Sequence, residues 1–134
     1  MFFKPAEDKP GYYEFQVNAA GAVLDCFFPR RNAGGFTRFK DDTKFHIDAK
    51  VHLRGTLNKW QDKDDGWSVE GRIPWKDFER TGGKPKAGDV WRMNLCRYDY
   101  SVAFEGPELS TCAPLKKPDF HAIEDYAPLK FIGP

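Results

Sequence analysis

Residues 45–54 have the sequence FHIDAKVHLR, in which every second residue is apolar. The apolar residues occupy the odd-numbered positions from 45 to 53, and the polar residues occupy the even-numbered positions from 46 to 54. A period of two is typical of a β-strand with one buried and one solvated face. The alternation therefore predicts a strand over Phe45–Arg54.

Similar patterns flank this segment on both sides. Two are strong, Trp67–Ile73 and Trp91–Arg97, and each follows an Asp with a Gly nearby, which is a turn signal. Shorter apolar segments predict further strands at Phe2–Phe3, Tyr12–Val17, Ala22–Phe28 and Leu129–Ile132. Segments rich in Gly, Pro and Asp predict long loops at Pro29–Thr43, Thr56–Asp65 and Asp99–Tyr126, and one short helix is predicted at Pro74–Phe78.

Short strands separated by turns, with almost no helix, are typical of an all-β antiparallel sandwich of the jelly-roll or immunoglobulin-like kind. The 134 residues suffice for one such domain, and we expect a single domain over residues 1–134. Phe2–Phe3 resembles the second half of a hairpin. We therefore expect a sandwich that lacks N-terminal strands.

Composition argues against several classes of function. The 21 basic and 20 acidic residues give a net charge of +1, which provides no field for attracting nucleic acid or an anionic membrane. No apolar run approaches the length of a membrane span, and no signal peptide is visible. The three cysteines have no C-x-x-C spacing, so we expect free thiols rather than a zinc site. Motifs of nucleophilic, metal-dependent or phosphate-transfer catalysis are missing as well, so an enzyme is not expected.

Several segments, in this order and spacing, carry a family resemblance: Tyr12–Asn18, Leu24–Asp25, Gly55–Asn58, Asp65–Trp75, Gly88–Tyr98, Asp119–His121 and Tyr126–Phe131. Over about Phe2–Phe131 the chain resembles the family 9 carbohydrate-binding modules. The resemblance implies a non-catalytic β-sandwich that binds a mono- or oligosaccharide and is attached to a glycoside hydrolase such as a xylanase. It also implies a role in polysaccharide catabolism and an extracellular or periplasmic location.

In that family a terminal sugar unit lies between two aromatic side chains, and polar residues bind its hydroxyl groups. The resemblance places one of these aromatics, with a carboxylate, before Phe2. Many relatives carry a Trp in the stretch Ser110–Pro114, where this chain has Cys112. The resemblance therefore implies a sugar site with weakened stacking.

The residues themselves indicate candidates for such a site, because a sugar needs an aromatic surface and planar polar groups around it. The aromatic candidates are Trp60, which lies in a polar loop, and Tyr98 and Tyr100 at a strand end. The polar candidates are Gln16, Asn18, Arg97 and His121. Arg97 is in phase with Leu95, so a buried structural guanidinium is an alternative for it, while Trp67 and Trp91 are predicted to be core residues.

Three alternatives stay open at this point. Asp62, Asp64 and Asp65 crowd one loop, where a solvated acidic turn is the expectation and a structural calcium is the alternative, because the full calcium-loop pattern is missing; no other cofactor is expected. The domain can also be a structural or protein-interaction sandwich that has lost its sugar site. Related sandwiches bind haem through Met and His, so a haem-binding electron-transfer domain using Met93 is the third alternative.

Overall fold

The computed structural model describes residues 1–31, 33 and 45–133. Within these ranges the chain forms nine strands: β1 (Phe2–Lys4), β2 (Tyr12–Val17), β3 (Val23–Phe28), β4 (Asp48–Arg54), β5 (Gly66–Arg72), β6 (Val90–Asn94), β7 (Cys96–Asp99), β8 (Glu108–Thr111) and β9 (Ala127–Lys130). Two single 3-10 turns, Trp75–Phe78 and Ile123–Asp125, are the helical elements of the described residues. The predicted all-β class is confirmed. Most of the loop predicted at Pro29–Thr43 lies outside the described residues.

A five-stranded antiparallel sheet, in the order β3-β2-β1-β6-β9, forms the centre of the molecule. Its register places Phe2 beside Glu14 of β2 and Asn94 of β6, and places Phe3 beside Tyr13 and Met93. Because side chains alternate across a strand, these two rows lie on opposite faces. We call the face with Phe2 the loop face and the face with Phe3 the hairpin face.

The β4–β5 hairpin covers the hairpin face of the sheet. Its register pairs Ala49 with Gly71 and Val51 with Val69. Beneath it lies a core of Tyr13, Phe15, Phe78 and Trp91, in which Phe78 packs edge to face on Tyr13 and Phe15 and tilted on Trp91. The 3-10 turn that supplies Phe78 stands where a short helix is predicted. Together the sheet and hairpin form the two layers of a β-sandwich-like fold.

The loop face is covered by the segment around residues 113–126 and by the β7–β8 hairpin. Phe2, Tyr12 and Phe28 of the sheet pack there against Phe120 and Tyr126. The Tyr126 hydroxyl is buried and donates to the carbonyl of Phe120 at 2.7 Å, which satisfies its polar group inside the core. This packing fixes the loops against the sheet.

The strand predicted at Trp91–Arg97 is two strands that belong to different sheets. Leu95 separates β6 from β7, and its backbone N–H donates to the Cys112 sulfur at 3.1 Å while its carbonyl accepts from the Cys112 N–H at 2.9 Å. This break changes the phase of the chain, so the prediction of an inward Arg97 is wrong. The Arg97 side chain is 57% exposed and forms an ion pair with Asp99 at 2.9 Å.

The core prediction is confirmed for Trp91, which is 4% exposed, but it is wrong for Trp67, which is half-buried. Trp67 lies on β5, whose one hydrogen-bonded neighbour among the described strands is β4. Residues on that hairpin are therefore less covered than those of the five-stranded sheet, as Val69 also shows with 42% exposure. The loop prediction over Asp99–Tyr126 is likewise wrong at β8, whose exposed residues gave no alternating pattern.

Candidate functional site

Two polar side chains, those of Glu14 and Asn94, are buried on the loop face, one on each side of Phe2. Glu14 is 2% exposed and Asn94 is 0% exposed, although a charged or amide group is normally left near water. Glu14 lies between the core aromatics Tyr13 and Phe15, and Asn94 follows Met93 at the end of β6. Burial of polar groups in an aromatic environment is costly unless they have partners. Their hydrogen bonds therefore indicate what the site can bind.

Asn94 uses its amide oxygen fully and leaves its amide nitrogen without a partner. The Ala113 N–H donates to Oδ1 at 3.3 Å, and the Thr111 hydroxyl donates to the same oxygen. A backbone N–H can only donate, so it fixes the oxygen on that side and directs Nδ2 to the other. Nδ2 is buried and has no hydrogen-bond partner among the described residues. The site thus contains a fixed donor ready for an acceptor oxygen.

Glu14 also has one hydrogen-bonded oxygen and one oxygen without a partner among the described residues. The exposed Gln16 donates from Nε2 to Oε1 of Glu14 at 2.5 Å, while Oε2 is buried and has no partner within the part of the chain that the structure describes. A carboxylate oxygen is a strong acceptor for hydroxyl groups. Gln16, at the surface, and Glu14, behind it, therefore form a polar pair that opens to solvent.

Tyr98 and Tyr100 supply the aromatic surface of this region. Their rings are 53% and 76% exposed, 6.3 Å apart and inclined by only 15°. Tyr98 also packs edge to face on Phe120, which belongs to the loop-face core. Partial burial, followed by the charges of Tyr100 and Glu14, raises the pKa of the Tyr98 phenol. Phe120 in turn packs against Phe2, the register neighbour of Glu14, and this chain of contacts connects the Tyr98 ring to the buried carboxylate.

Two thiols border the same region. Cys96 is paired with Thr111 in the β7–β8 register, and burial raises the pKa of its thiol to about 11. Cys112 is exposed and lies 3.7 Å from Oδ1 of Asn94 through its sulfur. The position at which the family resemblance implies a Trp therefore borders Asn94. We call Glu14, Gln16, Asn94, Tyr98, Tyr100 and Cys112 together the loop-face site.

The remaining predicted site residues lie elsewhere or have structural contacts. His121 is half-buried, its Nδ1 is 2.7 Å from the Tyr12 hydroxyl, and its ring packs against Phe28. Asn18 accepts from the backbone N–H groups of Ala20 and Ala22 and so closes the β2–β3 turn. Trp60 is 69% exposed in the β4–β5 loop, and that hairpin covers the opposite face of the sheet.

Two acidic side chains of the β4–β5 loop accept hydrogen bonds from Thr56 of the same loop. Asp64 accepts from the Thr56 N–H at 2.8 Å, and Asp62 accepts from the Thr56 hydroxyl at 2.6 Å. Asp65 uses its backbone N–H to close the hairpin on the Arg54 carbonyl. Over residues 1–31, 33 and 45–133 no group of three His, Cys, Asp or Glu side chains is arranged to hold a metal ion.

A second feature is a cavity of ≈ 380 Å³ between the five-stranded sheet and the β4–β5 hairpin. Its lining is almost entirely apolar and includes Phe3, Trp91 and Phe131 from one layer and Ala49, Val69 and Ile73 from the other. At about 24 cal/mol per Å³, a dry void of this size would cost about 9 kcal/mol. That would match the whole stability of a typical domain, and the described residues enclose the space only in part, so it is open to water.

Sequence reasoning missed Glu14 and Asn94, the buried polar part of the site, and also Thr111, an exposed residue whose hydroxyl donates to Asn94. One signal was present: Glu14 interrupts the aromatic run Tyr12–Phe15 at a position that shares a face with Tyr12. A charge at a core-facing position of a strand is a functional candidate because burial without a role is costly.

The comparisons with known proteins identify no relative. No family model matches the chain, and neither the curated proteins nor the solved structures include a significant match. Among the described residues, no helix has the length and apolarity to cross a bilayer.

Proposed function

We propose that the chain binds a mono- or oligosaccharide at the loop-face site, without acting on it chemically. In this proposal it is a family 9-like module that holds a polysaccharide-degrading protein on its substrate outside the cytoplasm. The observation that carries it is the combination of two exposed, nearly parallel tyrosine rings with a buried amide and carboxylate that each keep one polar atom unpartnered.

This combination suits a sugar because a pyranose has apolar ring faces and a fringe of hydroxyl groups. An aromatic ring stacks on the face, while hydroxyls, which both donate and accept, complement the Nδ2 donor of Asn94 and the Oε2 acceptor of Glu14. A buried unpartnered polar atom costs about 1–3 kcal/mol, which a ligand hydroxyl or ordered water would recover. Because both atoms are covered, we expect Gln16 to move away from Glu14, and the Thr111–Ala113 segment to move away from Asn94, when the ligand binds.

A binding role is favoured over hydrolysis by the carboxylates at the site. Glycosidases use two carboxyl groups on either side of the scissile bond. In the loop-face site Glu14 is the buried carboxylate. Asp99, next to Tyr98 on β7, is partly exposed and paired with Arg97. We therefore expect no release of reducing sugar from xylan, cellulose or pectin.

Calorimetric titration with glucose, xylose, cellobiose, xylobiose and galacturonate tests the proposal. We expect dissociation constants between micromolar and millimolar, roughly −8 to −4 kcal/mol, for at least one sugar. Trp60→Ala is the matched control, because it removes an exposed aromatic on the other side of the sheet and should leave binding unchanged. If no sugar gives heat at millimolar concentration, the structural or protein-interaction alternative replaces this proposal.

A further inference from the structure

The β7–β8 hairpin carries one row of side chains that continues outward from the loop-face site. Its register pairs Cys96 with Thr111 and Tyr98 with Leu109, and directly paired residues lie on the same face of a two-stranded sheet. Tyr100 continues this row, because it follows Tyr98 by two residues and its ring lies beside that of Tyr98. We call this face the inner face of the hairpin, since Cys96 at its base packs against the loop-face core.

The opposite face of the hairpin is charged and exposed. Arg97 and Asp99 form their ion pair there, and their register partners Ser110 and Glu108 are exposed as well. A sugar ring stacks on aromatic surface and gains little from solvated charges. Of the two faces, the inner one is therefore the face that suits a sugar.

The inner face leaves the core progressively along the hairpin. Cys96 is half-buried, and Thr111 opposite it donates its hydroxyl to the buried Asn94. Tyr98 is more exposed than Cys96, and Tyr100 is more exposed again. At about 3.3 Å per residue, the distance along the strand from Cys96 to Tyr100 is about 13 Å. The inner face thus forms a strip that leads from the buried polar groups of the site out into solvent.

The length and the ring geometry of this strip fit consecutive sugar units. A single pyranose ring is much shorter than the strip, so one unit whose hydroxyls reach Asn94 leaves Tyr100 uncovered. The rings of Tyr98 and Tyr100 are inclined by only 15°, so they stack best on sugar rings that are themselves nearly parallel. Consecutive rings are nearly parallel in an extended β-1,4-linked glucan, whereas in an α-1,4-linked glucan they are inclined because the chain coils.

We propose, on the basis of the sugar binding proposed above, that the loop-face site takes an extended β-1,4-linked glucan chain. One unit lies at the buried polar groups of Glu14 and Asn94, and the following units lie along the inner face from Tyr98 to Tyr100. Each further unit covers apolar surface that a disaccharide leaves wet, so affinity rises with chain length until the strip is covered.

Calorimetric titration with cellobiose, cellotriose and cellopentaose tests the chain length, and maltopentaose tests the linkage. Cellopentaose should bind at least about tenfold more tightly than cellobiose, through the added stacking and apolar contacts, and at least about tenfold more tightly than maltopentaose. Equal affinity of cellobiose and cellopentaose, or of the two pentasaccharides, would overturn this inference and leave sugar binding itself intact. If none of these sugars binds, and neither do the other sugars named above, both proposals fail.

Three variants locate the chain on the hairpin, with melting curves to establish folding. Tyr100→Ala should lower the ratio of cellopentaose to cellobiose affinity to less than about half of its wild-type value, whereas Tyr100→Phe, which keeps the ring, should preserve it. Glu108→Gln is the matched control on the opposite face and should leave the ratio unchanged. A ratio that survives Tyr100→Ala, or that falls as far in Glu108→Gln, would overturn the placement along the inner face.

Discussion

The ring of Tyr98 packs edge to face against Phe120, with centroids 5.1 Å apart and planes at 76°. This contact supports an exposed ring on a buried one, so Tyr98 has a fixed orientation before any ligand arrives. Tyr100 is more exposed, and Tyr98 is the one aromatic ring that it is seen to contact within the described residues. A fixed ring loses less conformational entropy on binding, so Tyr98 should contribute more than Tyr100.

We therefore predict that Tyr98→Ala weakens sugar binding about five- to tenfold, equivalent to about 1 kcal/mol of lost stacking, and that Tyr100→Ala weakens it less. Calorimetry on both variants, with melting curves to establish folding, measures the difference. Equal effects of the two substitutions would mean that support by Phe120 is irrelevant to binding.

A second prediction concerns Cys112, which borders Asn94 at the position where the family resemblance implies a Trp. Cys112→Trp adds a large aromatic surface beside the site, and we expect sugar affinity to rise about threefold to tenfold through an added stacking contact. Leu57→Trp is the control, since it adds the same aromatic surface at an exposed position in the β4–β5 loop, away from the loop-face site. Unchanged or weaker binding in a folded Cys112→Trp variant would place the sugar elsewhere.

Thiol reactivity provides a third test, based on pH. Burial raises the pKa of Cys96 to about 11, so at pH 8 its thiolate, the reactive form, is a minute fraction of the total. Alkylation of Cys96 should become about tenfold faster for each pH unit from 8 to 10, and the exposed Cys112 should react first at pH 8. Peptide mass spectrometry distinguishes the two sites. Equal labelling of both at pH 8 would show that Cys96 is not buried as described.

The two strand tryptophans should differ in their effect on stability. Trp91 is 4% exposed within the aromatic core, and removing a buried Trp costs about 3–5 kcal/mol, so Trp91→Ala should unfold the domain or lower Tm steeply. Trp67 is half-buried on the β4–β5 hairpin, and Trp67→Ala should cost less than half as much. Urea melts of the two variants measure both values. A larger loss for Trp67 would mean that the hairpin is covered by more than the described layers.

The sequence predicted the strands well where their pattern is local. Alternation between apolar and polar residues is a property of the segment itself, and it indicated β4 from the sequence FHIDAKVHLR alone. The break at Leu95 was not predictable in this way, because it depends on hydrogen bonds to Cys112, which lies 17 residues further along the chain. The outward turn of Arg97 follows from that break.

Residue patterns indicated only the exposed residues of the candidate site. Tyr98, Tyr100 and Gln16 have residue types that indicate sugar binding in any exposed loop or strand end. The buried partners, Glu14 and Asn94, come together only through their shared neighbour Phe2 on β1, a long-range register that residue patterns do not encode. Conversely, His121 has a suitable residue type but is held by Tyr12 in the core.

The central claim is that a sugar binds among Gln16, Asn94 and Tyr98. The most direct test is an NMR titration with xylobiose and cellobiose that follows side-chain amide and aromatic resonances. We predict saturable shifts at the amide groups of Gln16 and Asn94 and at the Tyr98 ring, with none at Asn18, whose oxygen is occupied by the β2–β3 turn. Saturable shifts confined to Trp60, or no shifts at millimolar sugar, would contradict the account.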